Sequence, residues 1–237
     1  MSMDRSVQAP NGLMLRDSLE AFWAVLSVGE ERPPLVRVLL ALWLVDAAFI
    51  FFHALIAVGI VDLDAFRLER DGGVPEFFQY AKWLGASVML FAVFMRERNA
   101  LLLMLSAICL FLLADDSLRL HERVGGELLA DGLFGHLGTN AYHVGEGAYA
   151  VALMTATAMA FLLLWRSASI TARVTATGVA AFLGVFVAGS VGIDQLHGVV
   201  ASGGSLSGLF SGAEEVTEHL ALSLLLWWCI LRGGRKG

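Results

Sequence analysis

Six stretches of this chain are long and apolar enough to cross a bilayer, and this restricts the fold more than any other feature. A hydrocarbon core of ~30 Å needs about 20 mostly apolar residues per helix. The runs are Leu35–Val61, Phe77–Met95, Ala100–Leu120, Ala141–Trp165, Val174–Val199 and Ala213–Leu231. Backbone polar groups in lipid must bond within their own segment or around a closed barrel. Barrel strands would alternate in polarity over about ten residues, and nothing here alternates over a useful length. The expectation is an all-α integral membrane protein with six transmembrane helices in a bundle.

Composition supports this, because only 16% of the residues are charged against about a quarter in soluble domains. The predicted organisation is a cytoplasmic N-terminal segment over 1–34, a six-helix transmembrane domain over 35–231 and a basic cytoplasmic tail over 232–237. Within the first segment, Leu15, Leu19, Phe22, Trp23 and Leu26 recur at helical spacing, with Arg16, Asp17 and Glu20 between them. That pattern predicts an amphipathic helix lying in the membrane interface or docked on the bundle. The Pro33-Pro34 pair ends it. Cys109 and Cys229 each lie in an apolar run and read as small buried residues. The N-terminus has no basic stretch followed by an apolar core and a cleavage site, so the first span is expected to serve as its own insertion signal.

Basic residues set the expected orientation. With the N-terminus inside, eleven of the 16 Lys and Arg residues fall on the cytoplasmic side, including both short loops around Arg96–Asn99 and Arg166–Arg173. Both termini are therefore expected in the cytoplasm, and a bacterial inner membrane suits such a chain. Fifteen of the 22 acids fall on the opposite side. An electronegative outer face concentrates cations and disfavours nucleic acid as a partner. The expected partners are the bilayer itself and a lipid or membrane-soluble substrate, and the oligomeric state is not encoded in any pattern.

Four consecutive spans bring carboxylates and imidazoles to this acidic end. The third closes with Asp115, Asp116, His121 and Glu122; the fourth opens with His143 and Glu146. The fifth closes with Asp194 and His197, and the sixth opens with Glu214, Glu215, Glu218 and His219. Residues three or four apart share a helix face, as do those seven apart. His143 with Glu146, Asp194 with His197, and Glu215 with Glu218 and His219 meet this rule. Arg119 reads as a salt-bridge partner for Asp115 or Glu122. Glu127, Asp131 and His136 lie in a Gly-rich outer loop and are expected to be solvated. Asp46 and His53 share a face of the first span, with Asp46 near the bilayer centre. Lys82 is expected to snorkel to the interface or to pair with an acid.

Two function classes fit. In the first, a metal-dependent membrane enzyme holds one or two divalent ions on Asp115, Asp116, His121, Glu122, His143, Glu146, Asp194, His197, Glu215 and His219. Zinc, iron and manganese all accept such ligands. Glu218 would then act in catalysis by moving protons, in a hydrolase or a di-iron-type oxidoreductase. In the second, the chain is a proton- or cation-translocating transporter or channel that uses the acidic vestibule, with Asp46 and His53 as a proton path. No HExxH motif, Ser-His-Asp order or nucleotide-binding glycine pattern is present.

Overall fold

In a computed structural model, the structure describes residues 11–27, 33–129, 132–193 and 207–234. No strand occurs among them. Helix α1 runs Asn11–Ser27, α2 Pro33–Ala57, α3 Val74–Glu97, α4 Ala100–Leu118, α5 Ala141–Trp165, α6 Ile170–Val187 and α7 Ser207–Gly233. Two π-helical stretches, His121–Leu129 and Ala188–Ile193, follow α4 and α6.

Among the described residues, five helices are long and apolar enough to cross a membrane: Pro34–Ala57, Val74–Glu97, Ala100–Leu118, Val144–Trp165 and Ile170–Ser190. These apolar helices mark a multi-pass membrane protein. Helix α7 is the longest of the set at 27 residues, and it carries Glu214, Glu215, Glu218 and His219 in its first half. Large apolar side chains such as Leu44, Phe51, Leu84, Leu110 and Leu163 stand exposed on α2 to α5, as lipid-facing surfaces do.

Local chemistry accounts for the helix ends. Pro33 opens α2, where a missing N–H costs nothing. The Asn99 side chain accepts from Leu101 N at 3.1 Å to start α4. Ser169 accepts from Ala172 N at 3.2 Å to start α6. Both are N-caps that satisfy a donor lacking an intrahelical partner. Helices α3 and α4 stop at Arg98 and Arg119, which take left-handed backbone conformations with φ of 51° and 53°. The expected third span ran to Leu120, and its helix ends two residues earlier for this reason.

Helix α7 is the hub, packing against α2, α3 and α6 and against the π stretch Ala188–Ile193. Small residues permit the close approaches. A Cβ on Gly178 of α6 would lie 2.2 Å from the Trp228 ring, and one on Gly189 would lie 2.6 Å from Thr217. Helix α1 packs against α6, with buried Phe22 edge-on to Trp228 at 5.1 Å between centroids. Trp23, whose ring touches Phe22 at 5.4 Å between centroids, is 65% exposed.

Alternating helix directions produce two chemically distinct ends. At the basic end, arginines bond the last carbonyls of neighbouring helices. Arg96 donates to Gly233 O at 2.7 Å and Arg232 O at 3.1 Å. Arg173 donates to Trp165 O and Arg166 O, each at 3.1 Å. The acidic end gathers Asp64, Asp71, Glu76, Asp115, Glu122, Glu146 and Glu214.

Candidate functional site

Two groups of polar residues occupy the bundle, one at its acidic end and one deep inside it. The deep group joins α2, α3 and α7. Lys82 Nζ lies 2.9 Å from Asp46 Oδ1, and both side chains are buried. The ammonium also donates to the His219 carbonyl at 2.9 Å and stands 3.4 Å from Ser223 Oγ. Ser223 Oγ donates to Asp46 Oδ2 at 2.5 Å. His219 Nδ1 lies 3.2 Å from Asp46 Oδ1 and 3.3 Å from Lys82 Nζ. Aromatic rings close the group: Phe78 faces Lys82 at 4.7 Å, and Phe49 lies 6.1 Å from the imidazole. An ionisable group at membrane depth faces the bundle interior and finds a partner, and each of these does.

Helix geometry explains the meeting. Asp46 lies 11 residues before the last residue of α2, and Lys82 lies 8 residues after the first residue of α3. At ~1.5 Å per residue, the two sit at similar depth on antiparallel neighbours. His219 and Ser223 are four apart on α7 and share the face turned to both. His53, seven residues beyond Asp46, is half-buried and accepts from Leu68 N at 3.3 Å through Nδ1. That bond ties down the chain between α2 and α3. His53 Nε2 faces Gly212 of α7 at 3.9 Å from its notional Cβ.

At the acidic end, Asp115 accepts from Tyr149 OH at 2.7 Å and pairs with His121 Nδ1 at 3.3 Å. The hydrogen bond His121 donates to Asp115 is the main cause that raises its pKa above 6.5; burial opposes it, and the charges of Asp115, Glu122 and Glu146 add to it. Arg119 pairs with Glu122 and with Asp71, each at 2.8 Å. Glu76 accepts from Tyr80 OH and from Gly72 N. Glu218 is hydrogen-bonded with Ser190 of the second π stretch and Gln79 of α3, and the charge of Asp116 acts on it. Glu215 feels the charges of Glu218, Glu214 and Asp116.

The predicted site residues thus divide. Asp115, His121 and Glu122 come together, with Glu146 beside them. Asp116, Glu215 and Glu218 form a neighbouring acidic set. His219 leaves both and joins Asp46 instead. His143 lies in the first turn of α5, while Asp194, His197 and Asp131 fall outside the described residues. Among the described residues, no three His, Cys, Asp or Glu side chains are arranged to hold a metal ion. Opposing pairings explain this. Asp115 is occupied by Tyr149 and His121 and Glu122 by Arg119, while His219 turns its Nδ1 side to Asp46 and Lys82, away from the acidic set.

Part of the expected outer loop is structured. His121–Leu129 is π-helical and packs on α5. A Cβ on Gly125 would lie 2.7 Å from Glu146 Cα, and one on Gly126 would lie 2.3 Å from the Tyr142 ring. His136 is exposed, as expected. Of the two expectations for Lys82, pairing with an acid is the one met, by Asp46; Ser223, Gln79 and Tyr149 carry the site without having been read as part of it. Opposite charges at matching depth in adjacent antiparallel spans were the available signal for Lys82, and the four-residue spacing from His219 was the signal for Ser223.

Fold and site together define a multi-helix membrane protein with a buried ion-paired cluster. The chain belongs to the family described as a domain of unknown function, DUF8692, whose model matches residues 25–232. No curated protein and no solved structure matches the chain.

Proposed function

We propose that the protein translocates protons across a membrane by binding and releasing them at the Asp46–Lys82–His219–Ser223 cluster. One observation carries this reading: a carboxylate, an ammonium and an imidazole from three helices share hydrogen bonds in the bundle interior. Replacing a buried ion pair by apolar residues is often neutral or stabilising. Such a pair is therefore weak support for a purely structural role, and membrane-buried ionisable groups commonly mark ion or proton pathways.

The acidic end supplies the entry. Asp116, Glu215 and Glu218 lead from the mouth toward Lys82, on which the charge of Glu218 acts. On the basic side, Leu90, Leu102, Leu105, Leu222, Leu225 and Trp228 are buried and fill the interior. An apolar plug of this kind blocks an open water column, which favours stepwise binding and release with a conformational change over a channel.

In this proposal α7 is the sixth transmembrane helix, and α1 lies in the interface with Phe22 anchored on Trp228 and Trp23 turned to lipid. Residues 1–34 and 232–237 are cytoplasmic, the acidic end faces outward and the membrane is a bacterial inner membrane. The excess of Lys and Arg at the basic end supports that orientation.

The test is proton flux into liposomes under an imposed pH gradient, with potassium and valinomycin to clamp the potential. Wild-type protein is expected to conduct and Asp46→Asn to fail. Wild-type liposomes no leakier than empty ones would refute the proposal.

A further inference from the structure

The deep cluster leaves one polar atom over, and its hydrogen-bond count identifies what that atom needs. An ammonium has three protons to donate and no lone pair, while an ionised carboxylate only accepts. Lys82 Nζ finds three acceptors in Asp46 Oδ1, His219 O and Ser223 Oγ, at 2.9, 2.9 and 3.4 Å. The Ser223 hydroxyl spends its own proton on Asp46 Oδ2. His219 Nδ1 lies 3.3 Å from the Lys82 ammonium and 3.2 Å from Asp46 Oδ1. The ammonium already has its three acceptors, and a bare lone pair at Nδ1 would face a carboxylate that can only accept. Nδ1 therefore carries the proton and donates it to Asp46. A neutral imidazole with Nδ1–H carries a bare lone pair at Nε2.

His219 Nε2 is buried and has no hydrogen-bond partner among the described residues. Its side chain is 1% exposed, so bulk solvent does not serve it. A buried acceptor without a donor bears the full desolvation penalty of that group. The charge of the surroundings restricts the donor. Asp46 and Lys82 cancel, so a second cation would meet the Lys82 ammonium and an anion would meet the Asp46 carboxylate. A neutral molecule with an O–H group is the chemistry that remains. Buried waters bind otherwise unsatisfied polar groups and need two to four polar partners. Glu218, the residue before His219 on α7, acts by its charge on Lys82 and is hydrogen-bonded with Gln79 and Ser190, so these are the polar side chains next to the cluster in the interior.

We propose that a buried water molecule is bound at His219 Nε2, donating one proton to the imidazole and linking the Asp46–Lys82–His219–Ser223 cluster to Glu218. Its role rests on the proton-translocation reading, but its presence does not. As a relay it accepts a proton from the Glu218 carboxyl and passes one to His219 Nε2. The imidazolium so formed releases its Nδ1 proton to Asp46, and no oxidant or other reactant is involved.

The experiment uses the full chain in liposomes, with 15N in the ring nitrogens of its six histidines. The His219 signals are assigned by their loss in His219→Asn or, equally, in His219→Gln. The expected result at neutral pH is a protonated Nδ1 and an unprotonated Nε2 that receives magnetisation from water protons. A protonated Nε2, transfer from lipid protons alone, which would reveal a lipid hydroxyl as the donor, or no transfer at all would overturn the inference. Water transfer in a protein that conducts no protons would overturn only the proposed function. Proton conduction without water transfer would overturn only the bound water.

Discussion

Asp46 on α2 and Lys82 on α3 meet at 2.9 Å with side chains 0% and 1% exposed, which makes each the other's counter-ion inside the bundle. Removing either leaves a buried charge with no opposite charge beside it. Asp46→Leu or Lys82→Met alone should each destabilise the protein by about 3–5 kcal/mol, whereas the double variant should be near neutral. Thermal unfolding in detergent micelles measures this, and proton flux should be absent in all three. A double variant that regains stability and also conducts would sink the proposed role of the pair.

The His121 imidazole ties the π stretch to Asp115 and through it to Tyr149. Its folded pKa is raised above the ordinary 6.5, so its stabilising bond is fully present below 6.5. That contribution is lost as pH rises through the higher folded value. With 38% of its side chain exposed, screening keeps the contribution below about 1 kcal/mol. The melting temperature of wild type should therefore fall as pH rises from below 6.5 to above it, relative to a flatter profile in His121→Gln. Identical profiles would show that the bond does not contribute.

Of the glycines on and after α6, Gly178 and Gly189 lie at close helix approaches, while Gly184 and Gly192 face open space. Gly178→Ala pushes a Cβ into the Trp228 ring, which also donates to Thr175 O at 2.9 Å and is fully buried. Overpacking of this kind costs typically ~1–3 kcal/mol, and tryptophan emission should shift as Trp228 moves. Gly184→Ala faces open space and should leave stability within ~0.5 kcal/mol of wild type or raise it.

Elemental analysis separates the proposed function from the metalloenzyme expectation. Purified protein should hold no stoichiometric zinc, iron or manganese, and Glu215→Ala and Asp194→Ala should not change its metal content. One metal per chain, lost in both variants, would restore the metal-centre reading and place Asp194 in it.

The helices were legible because lipid demands about 20 apolar residues in a row, and α5 runs over the residues expected of it. That Asp115, Glu122 and Glu146 share one end was legible too, since alternating helix directions join the close of one span to the start of the next. That His121 would reach Asp115 was not, because it lies off the face Asp115 shares with Glu122. Nor was partner choice. His219 satisfies the spacing rule with Glu215, yet its ring turns to Asp46 and Lys82, because a face rule says which residues are neighbours on one helix and nothing about what another helix presents. The π stretch His121–Leu129 was hidden for a related reason. Its Gly125-Gly126 pair reads as a loop signal, and only the backbone of Glu146 and the ring of Tyr142 pressed against it show why glycine is needed.

The position of α7 in the chain has a consequence for biogenesis. Asp46 and Lys82 emerge from the ribosome with the α2–α3 hairpin, more than 130 residues before His219 and Ser223, which follow Lys82 by 137 and 141 positions. A lone ionisable residue at a helix centre costs roughly 2.5–3.5 kcal/mol to insert, so the two must find each other as a hairpin while the bundle is still unfinished. Newly made protein therefore passes through a half-built intermediate with an under-coordinated ion pair, exposed to the insertion machinery and to membrane proteases. Variants that weaken the pair should be degraded during synthesis more than in the finished state.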